Sequence, residues 1–286
     1  MMVANFHKLC ADSIRASGRR LPEIEEEGEA AKADALDRLY PELLVQASSE
    51  LDQRFDAIIV DEGQDFLDSW WTSLLLLLNT AGYFHVYYDT RQRLWGTPGG
   101  LSTDVTEGAV SLELTENVRN TKPIHDLAMM FHMSRGKGYK ALSTHGTAPE
   151  FVPVPIGQSE HVVVQRVVER LIDKEGVSPS DIAVLTPLSL RQGHSRWQPD
   201  KTLVGRFRLT HSLNPEAHEI FCSSIRSAKG LEFPVVILTE LFADGALEMA
   251  ASYAAQLYIG VSRARSHLVV IGEQERFSGL AEREGL

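Results

Sequence analysis

The sequence predicts an α/β protein with parallel sheets. Short apolar runs rich in β-branched residues alternate with stretches of helical periodicity, as in the predicted helix His161–Glu175 and the predicted strand Ile182–Leu185. Two early apolar runs end in acids, at Asp61 and Asp89. Acids in this position are typical of strands in a parallel sheet, because the residues that follow each strand lie at the carboxyl edge of the sheet. At 286 residues, the chain is long enough for one large or two medium domains.

The sequence of the first part of the chain predicts two helices and two strands. Apolar residues recur every three or four positions in Ala30–Leu44, which predicts an amphipathic helix. The apolar run Phe55–Val60 predicts a buried strand, Leu67–Leu78 a helix, and Gly82–Tyr88 a second strand. Gly, Pro, Ser and Thr then accumulate at Gly96–Gly108, which is typical of a linker.

We therefore divide the chain into residues 1–105 and residues 106–286. A proline near the first turn favours a helix at Thr121–Phe131. The other elements predicted in the second part are, in order, strand Val110–Leu114, a loop at Gly136–Gly146, strand Phe151–Val154, helix His161–Glu175, and strands Ile182–Leu185, Ile220–Ser224 and Val235–Leu238, then helix Ser252–Val261 and strand His267–Ile271.

Composition indicates a soluble globular protein, with 43% apolar and 23% charged residues. The net charge of -11 argues against broad nonspecific binding of nucleic acid, which needs a basic surface, although a local basic channel remains compatible with it. Cys10 and Cys222 provide no disulfide framework and fit a reducing cytoplasm. The longest apolar run, Leu74–Leu78, is too short to cross a bilayer. We expect a cytoplasmic protein with no membrane partner.

The adjacent acids Asp61 and Glu62 follow the strand Phe55–Val60 directly. One carboxylate can hold a magnesium ion, usually through water, and its neighbour can orient and deprotonate a water that attacks a phosphate. The alternative is a pair of helix N-terminal charges that the helix dipole stabilises.

Asp89, Gln92 and Trp95 follow the second predicted strand. A glutamine three residues after the acid can reach the terminal phosphate of a nucleotide, and the tryptophan offers a flat surface for a nucleic-acid base. The alternatives are a turn glutamine and a half-buried core tryptophan.

Two arginines, Arg119 and Arg263, follow a predicted strand and a predicted helix respectively. An arginine at a phosphoryl-transfer site stabilises the charge of the transition state, although an arginine is more often a surface salt-bridge residue. In the loop before Val235, Gly230 allows close backbone approach, Lys229 can meet a phosphate, and Glu232 can accept a hydrogen bond from a ribose hydroxyl.

These segments together resemble the superfamily 1 DNA helicases of the UvrD/Rep type. The motifs of that family occur in the same order along nearly the whole chain. The matching segments are Asp61–Asp65 for motif II, Asp89 and Gln92 for motif III, Leu114–Arg119 for motif IV, Lys229–Phe233 for motif V and Tyr258–Ala264 for motif VI. The chain departs from the family at four of these positions or beside them, at Tyr88, Val118, Ser224 and Arg226.

The resemblance implies two RecA-like parallel-sheet domains, the first truncated at its N-terminus, and a protein that uses ATP and Mg²⁺ on single-stranded and duplex DNA. The implied roles are magnesium binding by Asp61, activation of water by Glu62, sensing of the γ-phosphate by Gln92, arginine fingers at Arg119 and Arg263, nucleotide contacts at Lys229, Gly230 and Glu232, and stacking of DNA on Trp95.

The phosphate cradle that this chemistry requires, G-x-x-x-x-G-K-[ST], does not occur in the sequence. The pair Gly136-Lys137 is followed by glycine and lacks the earlier glycine at the required spacing. We therefore expect the chain to be the C-terminal part of a larger helicase with a further domain upstream, and to be inactive as an ATPase by itself.

Two other interpretations of the sequence remain open. The first is a noncatalytic module that has kept the helicase fold and binds DNA or a protein partner. The second is a two-metal nuclease site built from Asp61, Glu62 and Asp65, which the order of the motifs disfavours.

Overall fold

The predicted α/β class with parallel sheets is confirmed. The computed structural model describes residues 1–22, 35–89, 101–131, 139–143, 145–191, 193–242 and 250–283. The chain forms two compact units, Met1–Leu112 and Glu113–Leu286. Within the described ranges, no helix is long and apolar enough to cross a membrane.

The first unit packs helices against one face of a two-stranded parallel sheet. Its elements are α1 (Phe6–Ala16), a π-helical turn (Ala35–Leu39), α2 (Tyr40–Glu50), β1 (Phe55–Val60), α3 (Asp68–Leu76), β2 (Leu78–Val86) and the short α4 (Thr103–Thr106). Ala57 pairs with Tyr83 and Val60 with Val86. Because α1, α2 and α3 cover one face, Trp71 is fully buried, whereas Ile59 on the other face is 68% exposed.

Aromatic rings fill the space between α1 and α3. Phe6 stacks on Trp70 with the ring centroids 4.7 Å apart, and Phe66 stacks on Trp71 at 4.8 Å. The capping residue Asn5 begins α1, because its Oδ1 accepts the backbone N–H of Lys8 at 2.8 Å. This cap and the aromatic contacts hold α1 against the helix that follows the acidic end of β1.

The second unit is built on a seven-stranded sheet with the order β5-β11-β10-β6-β9-β8-β7. All neighbours are parallel except β7 and β8. The strands are β3 (Glu116–Asn117), β4 (Lys140–Ala141), β5 (Glu150–Val152), β6 (Ile182–Thr186), β7 (Leu203–Val204), β8 (Phe207–Thr210), β9 (Glu219–Ser224), β10 (Phe233–Leu238) and β11 (Ala264–Ile271). The helices are α5 (Lys122–Met129), α6 (Glu160–Asp173), α7 (Ala250–Ser262) and α8 (Gln274–Arg283).

The central strands of this sheet are buried on both faces. Every residue of β6 is buried, and β9 and β10 are nearly so. Such strands read as continuous apolar runs because helices cover both faces of a parallel sheet. Outside the seven-stranded sheet, β3 and β4 form a separate parallel pair.

One predicted strand is wrong. Val110–Leu114 has the alternation of a strand, yet Val110, Leu112 and Leu114 are 86%, 87% and 83% exposed and form no ladder with the described strands. The alternating pattern does not show whether a neighbouring strand is present, and a ladder forms only between two strands.

Several other boundaries shift by a few residues. Leu78 begins β2 instead of ending the preceding helix, because the leucine run fits either period. Of the helix predicted at Ala30–Leu44, residues 30–34 lie outside the described residues, and the helical structure after them continues to Glu50.

Candidate functional site

The acids Asp61 and Glu62 lie directly after the last residue of β1. The backbone N–H of Tyr87 bonds to the Val60 carbonyl at 2.8 Å, and the N–H of Gly63 bonds to the Tyr87 carbonyl at 2.9 Å. These bonds extend the pairing of the parallel strands past their last ladder residues. The two acids therefore lie at the carboxyl edge of the sheet, where the sequence predicted them.

Glu62 has a left-handed backbone, with φ of 55°. A left-handed non-glycine residue carries strain, and such residues cluster at functional sites. The N–H of Glu62 donates to Oδ1 of Asp61 at 2.9 Å, so the turn ties the two acids together. Asp61 is exposed, and a single exposed carboxylate fits a magnesium ion that keeps most of its waters.

Sequence reasoning missed Gln64, which is 4% exposed. Its Nε2 donates to Oε2 of Glu62 at 2.5 Å, and its Oε1 accepts the backbone N–H of Asp89 at 2.9 Å. One buried amide thus joins the acids after β1 to the acid after β2. The only sequence signal was that Gln64 is a polar residue between a glycine and an acid, and such residues are also common in ordinary turns.

Gly63 has a steric role at the same turn. A Cβ at this position would lie 2.5 Å from Cγ1 of Val86 and 3.2 Å from Cη2 of Trp71. The backbone after Glu62 therefore passes so close to β2 and α3 that a side chain does not fit without movement. Gln92 and Trp95, the other predicted residues of this unit, lie outside the described residues.

In the second unit, Arg119, Glu232 and Arg265 form an ion cluster. Nε of Arg119 lies 2.8 Å from Oε2 of Glu232, and Nη1 of Arg265 lies 3.7 Å from Oε1 of the same carboxylate. The three side chains are 39%, 42% and 49% exposed. Because two guanidinium groups share one carboxylate, the cluster keeps a net positive charge on a chain whose formal net charge is -11. Such a cluster is suited to bind an anion.

Arg263 is placed differently, since only 1% of it is exposed. Its guanidinium donates to the carbonyls of Ile259 at 3.1 Å and Leu231 at 2.9 Å, and to Oγ of Ser262 at 3.1 Å. These bonds fasten the end of α7 to the start of β10. They account for the burial of an arginine, while its predicted contact with a phosphate stays a prediction.

Lys229 and Gly230 lie in the turn between β9 and β10. Gly230 has φ of 82°, and a Cβ there would meet no atom within 4 Å. The glycine is therefore explained by its left-handed backbone and not by close packing. Its predicted contact with nucleotide remains a prediction, as does that of Lys229.

A pair of acids near the carboxyl ends of β6 and β10, the buried Glu240 and the partly buried Glu160, was not predicted. The carboxylate of Glu240 accepts hydrogen bonds from Oγ1 of Thr186, Oγ of Ser195 and the N–H of Arg196, at 2.6 to 2.8 Å. Glu160 accepts the N–H of Glu240 at 2.7 Å, and burial raises the pKa of the Glu160 carboxyl. Glu240 thereby organises the loop after β6.

Among the described residues, no group of three or more His, Cys, Asp or Glu side chains forms a candidate metal cage. A site with several protein ligands, as zinc requires, is therefore not found in the described part of the chain.

The family model of the UvrD-like helicase C-terminal domain matches residues 219–271. The match runs from the first residue of β9 to the last residue of β11. The matched residues are thus similar to the C-terminal domain of UvrD-like helicases. The resemblance to UvrD-like helicases is thus confirmed, and the matched stretch of the UvrD-like domain contains Glu232, Arg263 and Arg265.

Solved structures of helicases are also similar to the chain. Arterivirus nonstructural protein 10, a helicase, is 20% identical with a TM-score of 0.40, over 80% of this chain and 42% of the viral chain. Its complex with DNA gives 18% identity and a TM-score of 0.41, over 80% and 43%. The C-terminal domain of a possible DNA helicase from Lactobacillus plantarum WCFS1 is 21% identical with a TM-score of 0.33, over 54% of this chain and 86% of that domain.

The chain spans less than half of the length of the arterivirus helicase. A comparison with curated proteins finds no match.

Proposed function

We propose that the UvrD-like chain is part of an ATP-dependent DNA translocase, in which hydrolysis of ATP drives movement along a single strand and separation of the duplex. The observation that carries the proposal is the convergence of Arg119 and Arg265 on Glu232, because Glu232 and Arg265 lie within the stretch that matches the helicase domain. An exposed cluster with surplus positive charge suits the phosphates of a nucleotide.

The proposed roles follow the chemistry of phosphoryl transfer. Asp61 holds a magnesium ion, and Glu62 orients and deprotonates the attacking water. Gln92 senses the γ-phosphate, and Arg119 and Arg263 stabilise the negative charge of the transition state. Bound Mg²⁺ neutralises phosphate charge when the nucleotide is present. Glu232 and its neighbours Lys229 and Gly230 contact the nucleotide.

We expect negligible ATP turnover from this chain alone, because its sequence contains no phosphate cradle of the form G-x-x-x-x-G-K-[ST]. The measurement is steady-state release of phosphate with magnesium and single-stranded DNA, for the wild-type chain and for Glu62→Gln. Turnover that Glu62→Gln abolishes would contradict this expectation.

Binding of single-stranded DNA is expected to depend on Trp95. Stacking of a base on an aromatic side chain contributes about 1–3 kcal/mol, so Trp95→Ala should weaken binding of an oligonucleotide by roughly fivefold to a hundredfold. The measurement is fluorescence anisotropy of a labelled oligothymidylate at low salt. Tyr83→Ala is the matched control, because Tyr83 is an aromatic residue of the same unit that is 69% exposed. Equal losses in both variants, or none in either, would count against the proposed DNA contact.

A further inference from the structure

The residues after β3 are fastened to the start of β11 by the side chain of Asn120, which is 3% exposed. Its Nδ2 donates to the carbonyl of Ser262 at 3.0 Å and to the carbonyl of Ala264 at 2.6 Å. These two carbonyls lie on either side of Arg263. Both hydrogens of the amide are therefore used to hold the backbone of one short segment.

The acceptor side of the same amide holds the other segment. Oδ1 of Asn120 accepts from Nδ2 of Asn117 at 2.8 Å. Oδ1 of Asn117 in turn accepts the backbone N–H groups of Arg119 at 2.9 Å and of Asn120 at 3.1 Å. A further bond joins the segments, because the N–H of Thr121 donates to the Arg265 carbonyl at 3.1 Å. The backbone of Arg119 is thus tied, through two asparagines, to the strand that carries Arg265.

This connection matters because the ion pair with Glu232 cannot position Arg119 by itself. Arg119 and Glu232 are both well exposed, and exposed pairs of long side chains contribute little once screening and lost rotamer freedom are counted. A buried amide with its donors and its acceptor paired has a fixed direction. The backbone of Arg119 is therefore held near that of Arg265 by the bonds of Asn120, together with the bond from Thr121 to Arg265.

We propose that Asn120 is a positioning residue, which fixes Arg119 relative to Arg265 so that both guanidinium groups can meet one polyphosphate. The part of this inference that concerns the polyphosphate rests on the proposed function. The positioning of Arg119 does not, because it rests only on the hydrogen bonds of Asn117 and Asn120.

The first test measures positioning directly in the full chain. Exchange of the Nε–H proton of Arg119 with water, followed by NMR, reports the bond to Glu232. Asn120→Ala should accelerate this exchange roughly tenfold, the effect expected for loss of one or two buried hydrogen bonds. The Nε–H of Arg208, which bonds to Oε1 of Glu219 at 3.2 Å, is the internal control and should not change. Unchanged exchange at Arg119 would overturn the proposal.

Two further variants separate positioning from loss of fold. Asn120→Ser keeps one donor and should give an intermediate acceleration, and it serves as the main variant if Asn120→Ala does not fold. Asn214→Ala removes an exposed asparagine of the same unit and should have no effect. Equal acceleration at Arg119 and Arg208 would show general loosening and would also overturn the proposal.

The second test is a double-mutant cycle with inorganic pyrophosphate, followed by calorimetry. Asn120→Ala should weaken binding several-fold in the wild-type background and leave it unchanged when Arg119 is already alanine. An equal loss in both backgrounds would show that Asn120 does not act through Arg119. If the wild-type chain binds no pyrophosphate, the proposed function fails at this site, and the exchange at Arg119 alone decides whether Asn120 positions it.

Discussion

The residues at the end of β1 owe their conformations to contacts more than to local preference. Glu62 is left-handed, and Gly63 lies where a side chain would collide with Val86. The amide of Gln64 reaches both Glu62 and the backbone of Asp89. We infer that the turn is held as one unit, and that the carboxylate proposed to activate water is oriented by a neighbour two residues away.

Replacing Gln64 tests this orientation. Gln64→Leu removes the acceptor of the Asp89 N–H, so the amide of Asp89 should exchange with solvent roughly tenfold faster. Ser69→Ala removes a hydroxyl of the same unit that bonds to the Asp37 carbonyl, so it is the control and should leave Asp89 protected. Hydrogen exchange followed by NMR measures both variants. Slow exchange of Asp89 in the leucine variant would show that Gln64 does not hold this turn.

Sequence reasoning found the candidate residues by their chemical type, and it could not find the residues that orient them. Asp61 and Glu62 were visible because two acids follow an apolar strand. Gln64 and Asn120 were not visible, because an amide has no distinctive spacing and its partners are distant in sequence. Asn120 bonds to carbonyls 142 and 144 residues away.

At the scale of elements, the accuracy with which a strand was predicted depended on how deeply the strand is buried. The strands β6, β9 and β10 were predicted within two residues of their ends, because strands covered on both faces read as continuous apolar runs. The pair β3 and β4 was missed, since two-residue strands carry no periodicity. Val110–Leu114 shows the opposite error, because a period of two predicts a strand only where a neighbour exists to pair with it.

The packing of α1 against α3 should make the stability of the first unit depend on pH. Burial lowers the pKa of His7 below 6.5, although Asp37 acts in the opposite direction. The unfolded chain therefore binds the proton more readily, and the free energy of unfolding should fall as pH drops below about 6.5.

Urea unfolding of the full chain, followed by tryptophan fluorescence at pH 7.5 and 5.5, measures this effect. His7→Gln should reduce the loss at the lower pH by roughly a few tenths of a kcal/mol, since partial exposure screens the charge. His218→Gln is the control, because His218 is exposed. Identical pH dependence of the wild-type and His7→Gln chains would exclude His7 as the cause.

For the whole molecule, the overall charge is negative, whereas the local charge at one cluster is positive. A formal net charge of -11 disfavours nonspecific binding of nucleic acid, whereas Arg119 and Arg265 create a positive cluster around Glu232. The second unit provides this cluster from segments that are far apart in the chain. We therefore expect binding of anions to be local and to require Arg119.

The most direct test of this account is equilibrium binding of a fluorescent ATP analogue to the full chain in the presence of Mg²⁺. The account predicts weak binding that Arg119→Ala reduces about tenfold or more, as expected for loss of a charge-assisted contact with phosphate. Arg206→Ala, which removes an exposed arginine paired with Asp173, should leave the affinity unchanged. Equal affinity of the wild-type and Arg119→Ala chains would contradict the assignment of this cluster as a nucleotide site.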